Sequence, residues 1–212
     1  MLKPTMFLAA LLSLASAHAR AADHKWYVGL DLGQSKLDGG SPLLDFQNVD
    51  DHSNSYTVRF GYRFIPWFAL EGGYTDLGEF SGDFIYFCPA VVGFPCPPAL
   101  HVSSSLHGLL VNAVGTWPVA EHFQLNASVG AIYRELSTTQ DGGTGPSYHW
   151  TDKDTVMRLG LGVAVPVNPR FQISLDYAEY RDIGLALDMS SNATVVNNGE
   201  TSVISLGLRY SF

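Results

Sequence analysis

Charge is what this sequence is short of. Only 15% of its 212 residues are Asp, Glu, Lys or Arg, against ~25% in ordinary soluble domains. The formal net charge of −8 is the wrong sign for nucleic acid, which needs clustered Lys and Arg to follow phosphates. Cysteine is nearly absent: Cys88 and Cys96 are the only two, and two thiols at that spacing are too few ligands for a structural metal site. The seven histidines are scattered without ligand spacing, and no cofactor or metal is expected. Past the N-terminal segment no run of 18 apolar residues occurs, which excludes a transmembrane helix in the exported chain.

What is present begins with export. Lys3, the apolar run MFLAALLSLA and the small residues of ASAHARAAD follow the order of a secretory signal peptide. Cleavage is expected between Ala17 and Ala22, since several small-x-small triplets fit, leaving residues 1–21 as signal and 22–212 as one domain. A chain without a spanning helix can still cross a membrane as a closed β-barrel, whose sequence is only mildly hydrophobic. Twenty-one glycines and 12% aromatics suit a chain with a lipid face and a crowded interior.

Period-two alternation recurs along the chain and marks strands with two chemically different faces. Trp26, Val28, Leu30 and Leu32 oppose Tyr27, Gly29, Asp31 and Gly33; Tyr56, Val58, Phe60, Tyr62 and Phe64 oppose Thr57, Arg59, Gly61 and Arg63. Phe68, Leu70 and Tyr74 alternate with Ala69, Glu71, Gly73 and Thr75, and the same pattern returns around Phe123–Arg134, Met157–Val165 and Phe171–Tyr177. The stretch SSLHGLLVNAVGTW is a further strand whose register stays open, because Leu109 and Leu110 are adjacent and Asn112 shares parity with Leu110 and Val114. The chain closes on SVISLGLRYSF, with Ile204, Leu206, Leu208, Tyr210 and Phe212 on one face and Gly207 and Arg209 on the other. A full charge in an otherwise aromatic strand suits a polar lumen better than a soluble core. The count is eight.

Connections alternate too. IPW, PVAEH and PVNPR are short, whereas 34–54, 77–102, 136–150 and 182–200 are long, at roughly 15 to 26 residues. Short turns on one side and long loops on the other predict an all-β fold: an eight-stranded antiparallel transmembrane β-barrel of up-and-down topology in a bacterial outer membrane, long loops outside. Trp26, Trp67 and Trp117 all fall at short-turn ends, where an interface girdle of amphipathic aromatics belongs.

Several stretches also resemble a known family. WYVGLDLGQS, GYRFIPWFALEGGYTDLG, VGTWPVAEHFQLNASVGAIYR, FQISLDYAEYRDIG and SLGLRYSF are similar to the OmpA-like transmembrane barrels of Gram-negative outer membranes, over nearly all of 25–212. The resemblance implies that the C-terminal pattern Leu206, Leu208, Tyr210 and Phe212 is read by the barrel-assembly machinery, a role compatible with simply facing lipid. It extends to the barrel only; the peptidoglycan-binding domain of OmpA has no counterpart in these residues, so cell-wall anchoring is not carried over.

Interior parity groups Asp31, Arg59, Glu71, Arg158, Asp176 and Arg209 near mid-strand, with Arg63 lower down. Strand order predicts Asp31 between Arg59 and Arg209, Glu71 beside Arg59 and Arg63, and Asp176 between Arg158 and Arg209. Buried charges persist only when paired and hydrogen-bonded, so the expectation is an ion-pair plug, the alternative being a gate whose partners exchange. Export to an oxidising compartment favours a Cys88–Cys96 disulfide, stabilising its loop by roughly 2–3 kcal/mol in the chain-entropy model. The apolar run Phe84–Phe87, Val91, Val92 and Phe94 in the same loop either packs on itself or forms a patch for an extracellular protein or lipid partner. Asp45, Asp50, Asp51, Asp152 and Asp154 are read as solvated, with cation bridging to lipopolysaccharide as the sharper alternative.

One pair of residues bears on catalysis. His101 and Ser103 in HVSSS resemble the base and nucleophile of a lipid A deacylase, but the flanking residues do not match and no orienting acid is evident, so the chain is read as no enzyme. The expected role is structural or surface-interacting, in contact with outer-membrane lipid and lipopolysaccharide. A narrow channel for small solutes is the alternative.

Overall fold

A computed structural model describes residues 25–38, 46–84, 100–141, 147–181 and 200–212. The signal segment, Asp45, Cys88, Cys96 and the apolar run from Ile85 to Phe94 lie outside the described residues. The elements are β1 (Trp26–Asp38), β2 (Phe46–Asp50), β3 (His52–Ile65), β4 (Phe68–Phe84), β5 (Leu100–Ala120), β6 (Phe123–Asp141), β7 (Tyr148–Pro166), β8 (Phe171–Arg181) and β9 (Glu200–Ser211). Both β2 and β3 pair with β4 and are parted only at Asp51, so together they act as one barrel strand. The result is a closed eight-strand antiparallel barrel of up-and-down topology. Among the described residues no helix is long and apolar enough to cross a membrane.

Closure joins the first and last strands. β1 and β9 pair from Tyr27↔Ser211 to Asp38↔Glu200, and the Phe212 N–H donates to the Trp26 carbonyl at 3.0 Å. The Tyr210 ring lies 4.9 Å from that of Phe171. The terminal aromatic therefore finishes the seam, leaving no open edge where first and last strands meet.

Alternation resolves the two faces. Along β9, Thr201, Val203, Ser205, Gly207 and Arg209 are buried while Ile204, Leu206 and Leu208 are exposed. Leu161, at 67% exposure, is typical of the apolar outer surface, an arrangement that water would penalise and hydrocarbon rewards. The register left open for β5 is settled: Leu106, Leu110, Asn112 and Val114 face inward, Leu109, Val111 and Trp117 outward. Trp26, Trp67 and Trp117 are exposed at the short-turn end, and Tyr56, Tyr74, Tyr133 and Tyr177 face outward toward the other end of the apolar band.

Two differences from the sequence reading concern the long-loop side. Strands run well into segments read as loops, since 34–38, 77–84, 100–102, 136–141 and 148–150 are all strand. Above the apolar band the outward positions turn polar while the inward ones mix Leu77, Phe80 and Leu136 with serine and threonine, so the period-two signal fades although the hydrogen-bond ladder continues. Second, β4 carries a β-bulge, with a register shift between Asp76 and Gly78 against β5. Gly78 has φ of 86°, and Asp76 Oδ1 accepts from its N–H at 2.8 Å. The extra residue reverses the inward parity, so that Leu77 and then Phe80 are buried. A Cβ on Gly78 would also collide with Ser53 Oγ and the Asn54 carbonyl.

Candidate functional site in the barrel lumen

Inside the wall the side chains form two layers. Asp31, Arg59, Glu71, Arg158, Asp176 and Arg209 are all buried, as their interior parity predicts. Toward the long loops lies an apolar layer of Leu77, Phe80, Leu106, Leu110, Ile132, Val156, Ala178, Tyr180 and Val203, with Leu37 and Leu136 packed against it. The order along each strand fixes which layer is above: Leu77 follows Glu71 on upward β4, Val156 precedes Arg158 on downward β7, and Tyr180 follows Asp176 on upward β8. This apolar layer escaped the sequence reading. Its residues have interior parity, but a leucine of interior parity carries no sign of how far up the barrel it sits.

The charged layer is organised around Arg59. Its guanidinium forms an ion pair with Asp31 and donates to Glu71 Oε2 at 3.3 Å. The second Glu71 oxygen accepts from the Tyr27 hydroxyl at 2.8 Å. Glu71 is thus fully engaged, which is what a 2%-exposed carboxylate requires. Alternation shows Tyr27 only as an interior-facing aromatic; its hydroxyl is part of the network.

Three expected contacts are not formed. Arg63 lies over the Tyr27 ring, 5.7 Å from its centroid, and does not pair with Glu71, whose oxygens Tyr27 and Arg59 occupy. Asp31 makes no ion pair with Arg209, since its register partner on β9 is Gly207. Asp176 accepts from Ser174 Oγ at 2.6 Å and stands 3.8 Å from Arg209, but it does not pair with Arg158. Arg158 donates instead to Ser128 Oγ at 2.8 Å and to the Tyr180 hydroxyl at 3.3 Å. Parity and strand order place a side chain on a wall; they do not say which of several partners a long guanidinium reaches.

Above the membrane the wall carries further pairs. Arg134 holds Asp154 through two hydrogen bonds of 2.5 and 2.7 Å, so Asp154 is an ion-pair partner where the sequence suggested a solvated acid. Lys153 Nζ lies 2.8 Å from Glu135; that hydrogen bond holds the Glu135 carboxyl below its ordinary value and raises the Lys153 ammonium. His101 also gains a partner that the linear sequence hides: Asp83, its register neighbour on β4, lies 2.9 Å from His101 Nδ1. Ser103 Oγ makes no hydrogen bond with His101, so the serine that the sequence pairs with this histidine is not held by it. Among those residues no group of three or more His, Cys, Asp or Glu could hold a metal ion.

A lipid-facing apolar band around a charged interior defines an integral outer-membrane β-barrel protein. The outer membrane protein beta-barrel domain family matches residues 6–212, and the chain belongs to that family. Similar solved structures include Neisserial surface protein A at 16% identity, TM-score 0.55, over 88% of this chain and 97% of that one. Ail, the attachment invasion locus protein of Yersinia pestis, crystallised in complex with the heparin analogue sucrose octasulfate, is similar at 14% identity, TM-score 0.52, over 89% and 99%. The outer membrane protease OmpT of Escherichia coli is similar at 12% identity, TM-score 0.52, over 92% and 99%. No curated protein sequence matches the chain. At these identities the likeness is one of fold.

Proposed function

We propose that this protein is a structural and surface-interaction barrel whose lumen is a plug and whose working surface is the strand wall and loops beyond the outer leaflet. The observation that carries the reading is the stacking of an apolar layer on an ion-paired one. A hydrated path for solutes would have to breach both, breaking buried charge pairs and wetting a leucine- and phenylalanine-lined section. In support, the polar wall of β6 and β7 continues above the outward tyrosines to Asp141 and Tyr148, beyond what crossing a bilayer requires.

Trp26, Trp67 and Trp117 serve in this reading as the periplasmic girdle, and the polar groups above the tyrosines meet lipopolysaccharide. The pattern ending in Phe212 acts as the assembly signal, and the segment 85–99 with Cys88 and Cys96 is the place to seek an extracellular partner. The test is planar-bilayer conductance of the refolded protein beside a Glu71→Ala variant. A silent wild type agrees with the plug. Discrete conductance steps that change in the variant would replace it with a narrow channel gated by lumen ion pairs.

A further inference from the structure

Arg158 is a guanidinium 3% exposed to solvent, with only neutral partners: the hydroxyls of Ser128 and Tyr180, and Asn112 Oδ1 at 3.1 Å once its amide is oriented to satisfy its neighbours. A buried cation without a counter-ion is among the most costly arrangements a fold can contain. Beside it is a cavity of about 10 Å³ with polar lining from Arg59, Asn126, Ser128, Arg158, Asp176 and Arg209. Of the three guanidiniums there, Arg59 is paired with Asp31 and Glu71 and Arg209 stands 3.8 Å from Asp176, which leaves Arg158 as the one without a carboxylate partner. Two donors of the lining, Arg59 Nε and Asn126 Nδ2, are fully buried without an acceptor. Gly160 keeps the space open, since a Cβ at that position would press on Ser128 Oγ and the Arg158 guanidinium.

We propose that this cavity is a binding site for one small monovalent anion, chloride in the cell, acting as counter-ion to Arg158. Donor chemistry selects the ligand. Water could accept from these donors and donate to Asp176, but only an anion that accepts from Asn126 Nδ2, Arg59 Nε and Arg158 also offsets the charge of Arg158. The volume is that of about one water-sized probe, so an ion of chloride's size seats with a few tenths of an ångström of guanidinium movement. Sulfate and larger anions do not fit.

The deciding experiment is to refold and crystallise the full-length mature protein in bromide and collect anomalous data. A bromide peak within hydrogen-bonding reach of Arg158 and Asn126 is the expected result; a site holding only water overturns the proposal, and no variant needs to fold for that answer. In parallel, unfolding in SDS is followed at constant ionic strength in chloride and in gluconate. At chloride about ten times its dissociation constant, the folded-to-unfolded ratio should rise roughly tenfold over gluconate. Arg158→Met and Asn126→Leu are each expected to abolish that difference. Equal stability of the wild type in the two salts, or an undiminished chloride effect in both variants, would refute the site.

Discussion

Glu71 shows how much rests on one side chain. Both its oxygens are taken, by Tyr27 and Arg59, so Glu71→Ala removes one of the two carboxylates that balance Arg59 and leaves the buried Tyr27 hydroxyl without its acceptor. The expected loss is about 3–5 kcal/mol, read as a lower urea midpoint in detergent; a change within 1 kcal/mol would show that water replaces the carboxylate. Tyr27→Phe removes only the charge-assisted hydrogen bond and is expected to cost about 1.5–3 kcal/mol. On the other face, Leu161→Arg places a charge in hydrocarbon and should cost about 2–4 kcal/mol when folding into bilayers. The same change at a solvated surface would be nearly neutral, so this variant tests the assignment of the outer face to lipid. These residue-level roles were partly legible. Alternation told which face Glu71 and Leu161 occupy, but not that Tyr27 closes the second oxygen of Glu71.

The informative elements are β4 and the β6–β7 pair. Gly78→Ala puts a Cβ on a residue of φ 86° and against the Ser53 side chain and the Asn54 carbonyl. It is expected to cost more than the ~1–2 kcal/mol of a left-handed alanine, and hydrogen exchange should quicken around Leu77 and Phe80 first. Uniform quickening over the whole barrel would argue that the bulge is not a local pivot. On β6 and β7 the Glu135–Lys153 pair lies outside the apolar band. Glu135 is depressed by its hydrogen bond to Lys153, so its contribution is present above the ordinary glutamate pKa and fades as pH falls through the lowered one. Lys153 is raised, so its contribution holds below the ordinary lysine pKa and fades as pH rises through the raised one. The pair therefore works across the neutral range between those limits. An NMR titration of Glu135 should report a pKa below that of ordinary glutamate, returning upward in Lys153→Ala. No shift on removing the lysine would dissolve the pair. Neither feature was visible in the sequence: a bulge is a one-residue slip defined against a neighbouring strand, and polar strand above the membrane has no contrasting faces to alternate.

At the scale of the whole molecule, the joining of Trp26 to Phe212 makes the first and last strands part of one seam. If the C-terminal aromatic is chiefly an assembly signal, deleting Phe212 should reduce folded protein in cells several-fold while in-vitro refolding yield changes little; equal losses in both would assign it to the seam alone. The sequence by itself determined the class of fold, because a closed barrel in lipid imposes period-two alternation on every membrane-crossing strand, and alternation is a local property that needs no neighbour to be read. It also placed Asp31, Arg59, Glu71, Arg158, Asp176 and Arg209 inside, since parity alone decides that. Tertiary structure decided the rest. Only the shear of the strands around the barrel sets which interior residues meet across the lumen. That shear is what pairs Arg59 with two carboxylates, leaves Arg158 among neutral hydroxyls, and stacks the leucines above the charges.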